Sequence, residues 1–482
     1  PVRSHTDNTR ASFGGRLDYN YKSKYLFTVN FRADGSSKFP TDKKWGYFTA
    51  PSVAWNIAKE KFLANSKIIS NSKIRVSYGA GGNDRVTDYA SFPALTYSLQ
   101  GYSYNNATPM AFVYQSSMAN PDLTWERTTS LNIGYDLGLF NNRIEFVAEV
   151  YKRTTDDLLL NATLPPTSGF GTAFKNIGKL ENRGLELSLT TLNIQKRSFY
   201  WETSFNISFN QNKILALTEG QNSLNNAIQT DVNYSDFLYK SEIGKAAGMM
   251  VGYVWEGNYQ YADFDNPSPG IYVLKANVPT NGMPRASILP GDIKYRDFNR
   301  DGVVNSSDRT VIGRGQPIHF GGLNNNFRYK NLSLSVFVQW AYGNDIYNAN
   351  RITFEGNPNG RSNMNQYKTY VNRWSPENQT NENFRAGGGG VIGYHSSKFV
   401  EDGSYLRLKT VMLSYSVPSK FIKRLYMTDL SANVAVQNIL TWTNYSGLDP
   451  EVGTRGGVLT PSYDYSSYPQ ARTITLGIKA SF

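Results

Sequence analysis

The chain has 482 residues, no cysteine, 50 Lys and Arg against 38 Asp and Glu, and a mean hydropathy of −0.47. No apolar run approaches the ~18 residues of a spanning helix. Without thiols there is no disulfide scaffold, thiolate metal site or cysteine nucleophile. The net charge of +12 either serves an anionic partner, such as lipopolysaccharide or an acidic substrate, or is scattered over loops and interior. No tight Lys/Arg block marks a nucleic-acid arm, so no nucleic-acid partner is expected.

Aromatic residues make up 14%, with 33 Tyr and 26 Phe, and this composition suits strands and turns. The chain opens on PVRSHTDNTR, with neither an initiator Met nor a signal peptide, and reads as the continuation of a longer sequence. In chain order, period-two alternation predicts about thirteen strands, at 11–21, 24–32, 45–57, 72–79, 123–138, 143–153, 177–191, 198–210, 318–329, 331–342, 403–418, 428–439 and 469–482. One face is plain in Tyr25, Phe27, Val29 and Phe31, and again in Trp201, Thr203, Phe205, Ile207 and Phe209. It recurs in Leu332, Leu334, Val336, Val338 and Trp340, and in Val411, Leu413, Tyr415 and Val417. Runs of roughly ten residues are what a tilted strand needs to cross a bilayer. In the last strand Ile474, Leu476, Ile478, Ala480 and Phe482 share one face, opposite Thr473, Thr475, Gly477, Lys479 and Ser481. Its aromatic end resembles the C-terminal insertion signal of outer-membrane barrels, carried by Ile474, Leu476, Ile478 and Phe482. Trp201, Trp340 and Trp442, near strand ends, suit an interfacial aromatic girdle.

The connections sort by parity. Those at 22–23, 58–71, 139–142, 192–197, Lys330 and 419–427 are short, and those at 33–44, 80–122, 154–176, 211–317, 343–402 and 440–468 are mostly long. A soluble sandwich has no reason to segregate loop lengths this way. A barrel with short periplasmic turns and long outer loops does. The expected fold is therefore all-β, a transmembrane antiparallel barrel, with 211–317 a long extracellular loop and the C-terminus in the periplasm. An even-stranded barrel would place an odd number of strands before Pro1.

Several motifs carry a family resemblance. They are Arg32-Ala33-Asp34-Gly35-Ser36-Ser37-Lys38-Phe39, Trp45-Gly46-Tyr47-Phe48 and Lys73-Ile74-Arg75-Val76-Ser77-Tyr78-Gly79. Asn176-Ile177-Gly178 and Asn182-Arg183-Gly184-Leu185-Glu186 follow. Then come Gly291-Asp292-Ile293-Lys294-Tyr295-Arg296-Asp297 and Asn299-Arg300-Asp301-Gly302. Last are Gly403-Ser404-Tyr405-Leu406-Arg407-Leu408-Lys409, Gln437-Asn438, and Tyr445-Ser446-Gly447-Leu448-Asp449-Pro450-Glu451-Val452. Together they resemble the SusC/RagA-type TonB-dependent transporters along nearly the whole chain. The resemblance implies a plugged barrel of about 22 strands, of which residues 1–482 would be the C-terminal part. It also implies TonB as energy source, a SusD-like surface lipoprotein as lid, and oligomeric substrates, usually glycans and sometimes peptides.

One segment has metal-ligand spacing. Asp297, Asn299, Asp301, Asn305 and Asp308 fall at positions one, three, five, nine and twelve of a calcium loop, with Gly302 at six and the Val303 carbonyl at seven. Position twelve is Asp where Glu is usual, and no helical pattern flanks the loop. The expectation is a structural calcium that staples the long loop; the alternative is an Asx-rich turn without metal. The three histidines, His5, His319 and His395, show no metal motif. Tyr102, Tyr104, Tyr114 and Trp374 fall in outer loops, where rings either stack on substrate or pack the loops. Three rivals to an importer remain. They are a non-transporting surface-binding β-protein, a secreted glycan-active enzyme, for which no carboxylate pair is evident, and a siderophore-type TonB-dependent receptor.

Overall fold

The computed structural model describes residues 6–102, 110–164, 166–217, 221–231, 234–268, 270–356, 364–390, 395–423 and 426–482. Thirteen long antiparallel strands follow one another in chain order in one sheet. They are β1 (Arg10–Tyr21), β2 (Tyr25–Ser36), β3 (Trp45–Asn56), β4 (Ile69–Asn83), β5 (Glu126–Leu139), β6 (Ile144–Asp156), β7 (Lys179–Gln195), β8 (Phe199–Ala216), β9 (His319–Tyr329), β10 (Leu332–Tyr342), β11 (Tyr405–Ser416), β12 (Asp429–Thr443) and β13 (Thr473–Ser481). Every expected strand is present. Several run further than the alternation showed: β4 begins at Ile69, and β8 continues to Ala216. The connection expected at 211–317 is therefore 217–318. It is not a plain loop, because it contributes short strands such as Met249–Gly252 and Thr310–Arg314. The longest helix among the described residues is Ala349–Gly356, and no helix is long and apolar enough to cross a membrane.

The chain divides into two compact units: residues 1–194 with 202–223 and 242–245, and residues 195–201 with 224–241 and 246–482. The first unit is built of successive hairpins. β1 and β2 pair from Arg10↔Ser36 to Tyr21↔Tyr25. In the three-residue connection between them Lys22 and Ser23 both have positive φ, and the Lys24 amide donates to the Tyr21 carbonyl at 3.0 Å, a turn whose twist matches that of the strands. β4 and β5 pair from Ile69↔Leu139 to Asn83↔Glu126. Along β4, Ile74 and Tyr78 are exposed on one face, whereas Lys73 and Arg75 turn to the other and meet Asp136 at 2.9 and 2.8 Å. Apolar residues facing outward and ion pairs facing inward invert the usual soluble pattern.

The second unit holds β9–β13. β13 pairs with β12 from Asp429↔Ser481 to Gln437↔Thr473. Its apolar face is bare: Ile474, Leu476, Ile478 and Phe482 are 66–82% exposed. Water would oppose a contiguous apolar face of this kind, and the acyl chains of a bilayer accept it. Between the long strands the polypeptide builds cores of its own. One contains Leu238, Tyr239, Met250, Tyr347, Ile352, Phe399 and Tyr463, a second Tyr253, Ile293, Tyr295, Val304 and Phe384, and a third Tyr259, Phe264, Leu274 and Ile288.

Candidate functional site

The family motifs of the first unit close around one another. At the end of β2, Gly35 lies under the ring of Trp45, its partner in the ladder, and a Cβ there would sit 3.1 Å from three ring atoms. Phe13 stacks beside Trp45 at 5.9 Å. Ser36 donates to Asp84 at 3.0 Å and Lys38 to the Val86 carbonyl at 2.8 Å, so the following turn holds the start of the 84–125 connection. Phe39 is buried with Val86 and Leu123, its ring 5.1 Å from Trp125. Burying such a ring stabilises the clamp by about 1.5–3 kcal/mol. A cleft of about 410 Å³ opens beside it, lined by Arg10, Ser12, Arg32, Asp34, Phe48 and Trp125 among others. Arg10 pairs with Asp84 at 2.9 Å and Arg32 with Asp34 at 2.7 Å. Paired charges beside aromatic faces can hold a polar ligand.

In the second unit the motif at 291–297 holds a short strand, Ile293–Tyr295, which pairs with Trp255–Asn258 in a packed connection. Gly291 has φ +88°, and the Trp374 ring lies against its α-carbon, where a Cβ would come within 2.4 Å. Asp292 pairs with Arg385 at 2.7 Å, and burial pushes its carboxyl above the usual range. Lys294 meets Asp263 at 3.0 Å and Arg296 meets Glu256 at 2.7 Å. The neighbouring connection carries a buried lysine. Lys398 donates to Asn383 at 3.0 Å and sits 4.5 Å from the Trp255 ring centroid, and burial pushes its ammonium down to about 8.

Two further motifs meet through a β-bulge. The register of β11 shifts between Leu408 and Thr410 against β12, where Asn438 adopts φ +53°. Asn is among the few side chains that tolerate this conformation. Below the bulge Val411, Leu413 and Tyr415 share the apolar face; above it Leu406 and Leu408 do, opposite Trp442 and Leu440. The parity change turns Arg407 to the other face. There it is only 2% exposed and donates to Asp449 and Glu451, each at 2.7 Å. Lys409 and Gln339 also reach Glu451, at 3.4 and 3.0 Å. In the sequence Arg407 stands out only as part of a motif. Its signal was a lone Arg in line with Val411, Leu413 and Tyr415.

The loop at 297–308 is closed by its own side chains. Asp297 accepts from the Arg300 and Gly302 amides at 2.7 and 2.8 Å, and Asp308 accepts from Phe298 and Asn305, both at 2.8 Å. Asp301 accepts from Val303 at 2.8 Å and from the Asn299 amide group at 2.9 Å, and Asn305 accepts from Ser307 at 2.9 Å. Arg300 and Gly302 have φ +61° and +85°, which supplies the sharp turn. Among the described residues no three acidic or histidine side chains come together as a metal-holding group. These bonds fix the turn from within, and a carboxylate oxygen that accepts one hydrogen bond keeps a lone pair for a cation.

Of the four rings considered for substrate, Tyr114 is exposed and stacks on Phe112 at 5.3 Å. It lies on a short hairpin, Leu95–Tyr102 with Met110–Gln115. Tyr104 and the side chain of Tyr102 lie outside the described residues. Trp374 is 5% exposed, donates to Gln260 at 3.0 Å and packs on Gly291, which makes it a core ring. Of the girdle tryptophans, Trp442 is exposed, Trp201 stacks on Phe327 at 5.6 Å, and Trp340 donates to His319 at 3.2 Å.

Long strands with a bare apolar face, inward ion pairs and elaborate connections define a membrane-spanning β-sheet protein. Residues 1–282 match the family described as TonB dependent receptor-like, beta-barrel, and the chain belongs to that family. It is 34% identical over 480 residues to a TonB-dependent receptor of Formosa agariphila, covering 97% of this chain and 45% of that protein. It is 30% identical over 487 residues to the TonB-dependent receptor SusC of Bacteroides thetaiotaomicron, covering 99% of this chain and 44% of the relative. The chain thus spans just under half the length of these relatives. Among solved structures, the RagAB peptide transporter shares the fold with a TM-score of 0.79 at 23% identity, over 98% of this chain and 48% of that one. The family is one of outer-membrane transporters, not enzymes, and this chain is an outer-membrane protein.

Proposed function

We propose that the protein to which this chain belongs imports oligomeric nutrients, glycans or peptides, across the outer membrane. TonB supplies the energy through a part of the protein beyond these residues, and a SusD-like surface lipoprotein serves as lid. The short turns face the periplasm and the long connections face outward. The observation that carries the reading is that the long connections pack cores of their own, such as that around Tyr239, Tyr347 and Phe399. Connections that served only to join strands would have no reason to bury a core. Likeness to SusC and to a structure described as a peptide transporter supports the reading.

The test is uptake of labelled oligosaccharides and oligopeptides by cells carrying the full-length protein, with and without TonB. Uptake of one class is expected, and is lost when TonB or the protein is removed. Uptake that survives loss of TonB would sink the proposal. Mass spectrometry of material co-purifying with the complex then identifies the cargo.

A further inference from the structure

The +12 charge is not spread evenly. The six short connections 22–24, 57–68, 140–143, 196–198, 330–331 and 417–428 contain twelve Lys and Arg and one acid, Glu60. That is a net +11, which leaves 38 basic and 37 acidic residues, nearly neutral, for the rest of the chain. Each unit carries half of the basic set. The first has Lys22, Lys24, Lys59, Lys61, Lys67 and Arg143, and the second has Lys196, Arg197, Lys330, Lys420, Lys423 and Arg424. Among the described residues only Lys24 is drawn into an ion pair, with Glu60 at 2.8 Å. Lys22, Lys59, Lys61, Lys67, Arg143, Lys196, Arg197, Lys330, Lys420 and Lys423 are all exposed. The acids within four residues of these connections are Asp18, Asp136, Glu145, Glu202 and Asp429, and of these Asp18 already pairs with Arg16 and Asp136 with Lys73 and Arg75.

Exposed aromatic rings are interleaved with these cations. Phe62, Phe140, Tyr329, Phe421 and Tyr426 are all open to the surroundings. The ammonium of Lys22 lies 5.1 Å from the Tyr21 ring centroid, that of Lys330 5.4 Å from Tyr329, and that of Lys420 4.8 Å from Phe421. An acidic protein segment would use the charge and leave the rings in water. A lipid surface uses both: rings sit at the acyl boundary, while long cationic side chains reach out to phosphate.

We propose that the short-turn end of each unit is a docking surface for anionic phospholipid headgroups. The surface concentrates such lipids around the strand ends and fixes the depth of the sheet in the bilayer. Charge attraction of this kind is additive over several side chains and weakens with salt.

The test uses the full-length protein in a neutral detergent. Lipid retention is read by native mass spectrometry with phosphatidylglycerol against phosphatidylcholine, at about 50 and 500 mM salt. Phosphatidylglycerol should be retained about tenfold or more over phosphatidylcholine at low salt, and the preference should shrink at high salt. Lys59→Gln/Lys61→Gln/Lys67→Gln in one unit and Lys420→Gln/Lys423→Gln in the other should each reduce it several-fold. Arg85→Gln/Lys368→Gln, exposed and outside the short turns, should leave it unchanged. Heat-modifiable electrophoretic mobility confirms that each variant is folded, and the salt dependence of the unaltered protein needs no variant. Equal retention of both lipids, a preference insensitive to salt, or an equal loss in the control pair would each overturn the proposal. So would tight binding of polyglutamate without lipid preference, which would point to an acidic protein partner.

Discussion

Arg407 reaches Asp449 across 2.7 Å because a bulge one residue away has turned it off the apolar face of β11. In an unbroken strand Arg407 would share the face of Val411, Leu413 and Tyr415 and point into lipid. Breaking a buried pair by removing one partner costs about 3–5 kcal/mol. Arg407→Leu is therefore expected to release the 444–472 connection, read as faster proteolysis within it. Asp449→Asn should act in the same direction, and the double variant should be far less than additive. Asn438→Val, which forces a β-branched residue to positive φ, should cost about 1–2 kcal/mol and mimic the effect, while Asn438→Gly should not. Proteolysis unchanged by Arg407→Leu would contradict the assignment.

The two faces of β13 should respond differently to charge. Leu476 is exposed on the apolar face and Thr475 lies on the other. Leu476→Arg is expected to lower the yield of assembled protein, with a penalty of about 2–4 kcal/mol near the middle of the bilayer. Thr475→Arg should assemble normally. The fraction of heat-modifiable protein in outer-membrane preparations measures both. Removal of Phe482, the last residue of the expected C-terminal insertion signal, should slow assembly too, and unchanged assembly would count against that signal.

Acid should loosen the packed connections through His395. Its imidazole is fully buried, 5.9 Å from the Tyr347 ring, and burial pushes it down to about 4, against an opposing pull from Asp236 and in line with the push of Arg309. The unfolded state binds the proton more readily, so stability falls as pH drops from about 6.5 towards 4. The loss is about 3 kcal/mol for the local unit. Asp292 and Asp345, whose carboxyls are raised by burial, work in the opposite sense. The comparison is therefore His395→Gln against the unaltered protein. Protease resistance should fall less steeply with acid in the variant, and parallel curves would refute the role.

For the loop at 297–308 the expected outcome is one calcium per chain in unwashed protein, removed by a chelator and diminished in Asp301→Asn. Elemental analysis decides. Its absence would leave the loop as the self-closed Asx turn that its hydrogen bonds already describe.

The strands were legible in the sequence because lipid demands an apolar residue at every second position. That signal stops where strands leave the bilayer, which is why β4 and β8 run past their expected ends. It also fails at the bulge, where Leu406 and Leu408 change parity relative to Val411. The motifs marked the clamps without naming their partners. Gly35 under Trp45, and Arg407 with Asp449, are contacts from one strand to another strand or to a connection, and periodicity along a single strand carries no information about them. Trp374 shows the same limit: as a loop aromatic it suggested a ligand, and only its place over Gly291 shows that it is structural.

The cores built between the strands bear on the thermodynamics of recognition. A surface supported by buried Tyr239, Tyr347 and Phe399 has already surrendered its conformational freedom when the chain folds. A partner or cargo that meets it need not order it again, so more of the contact energy remains as affinity. The same rigidity means that these connections cannot wrap around what they bind. Under the import proposed above, the motion that encloses cargo would fall to the lid.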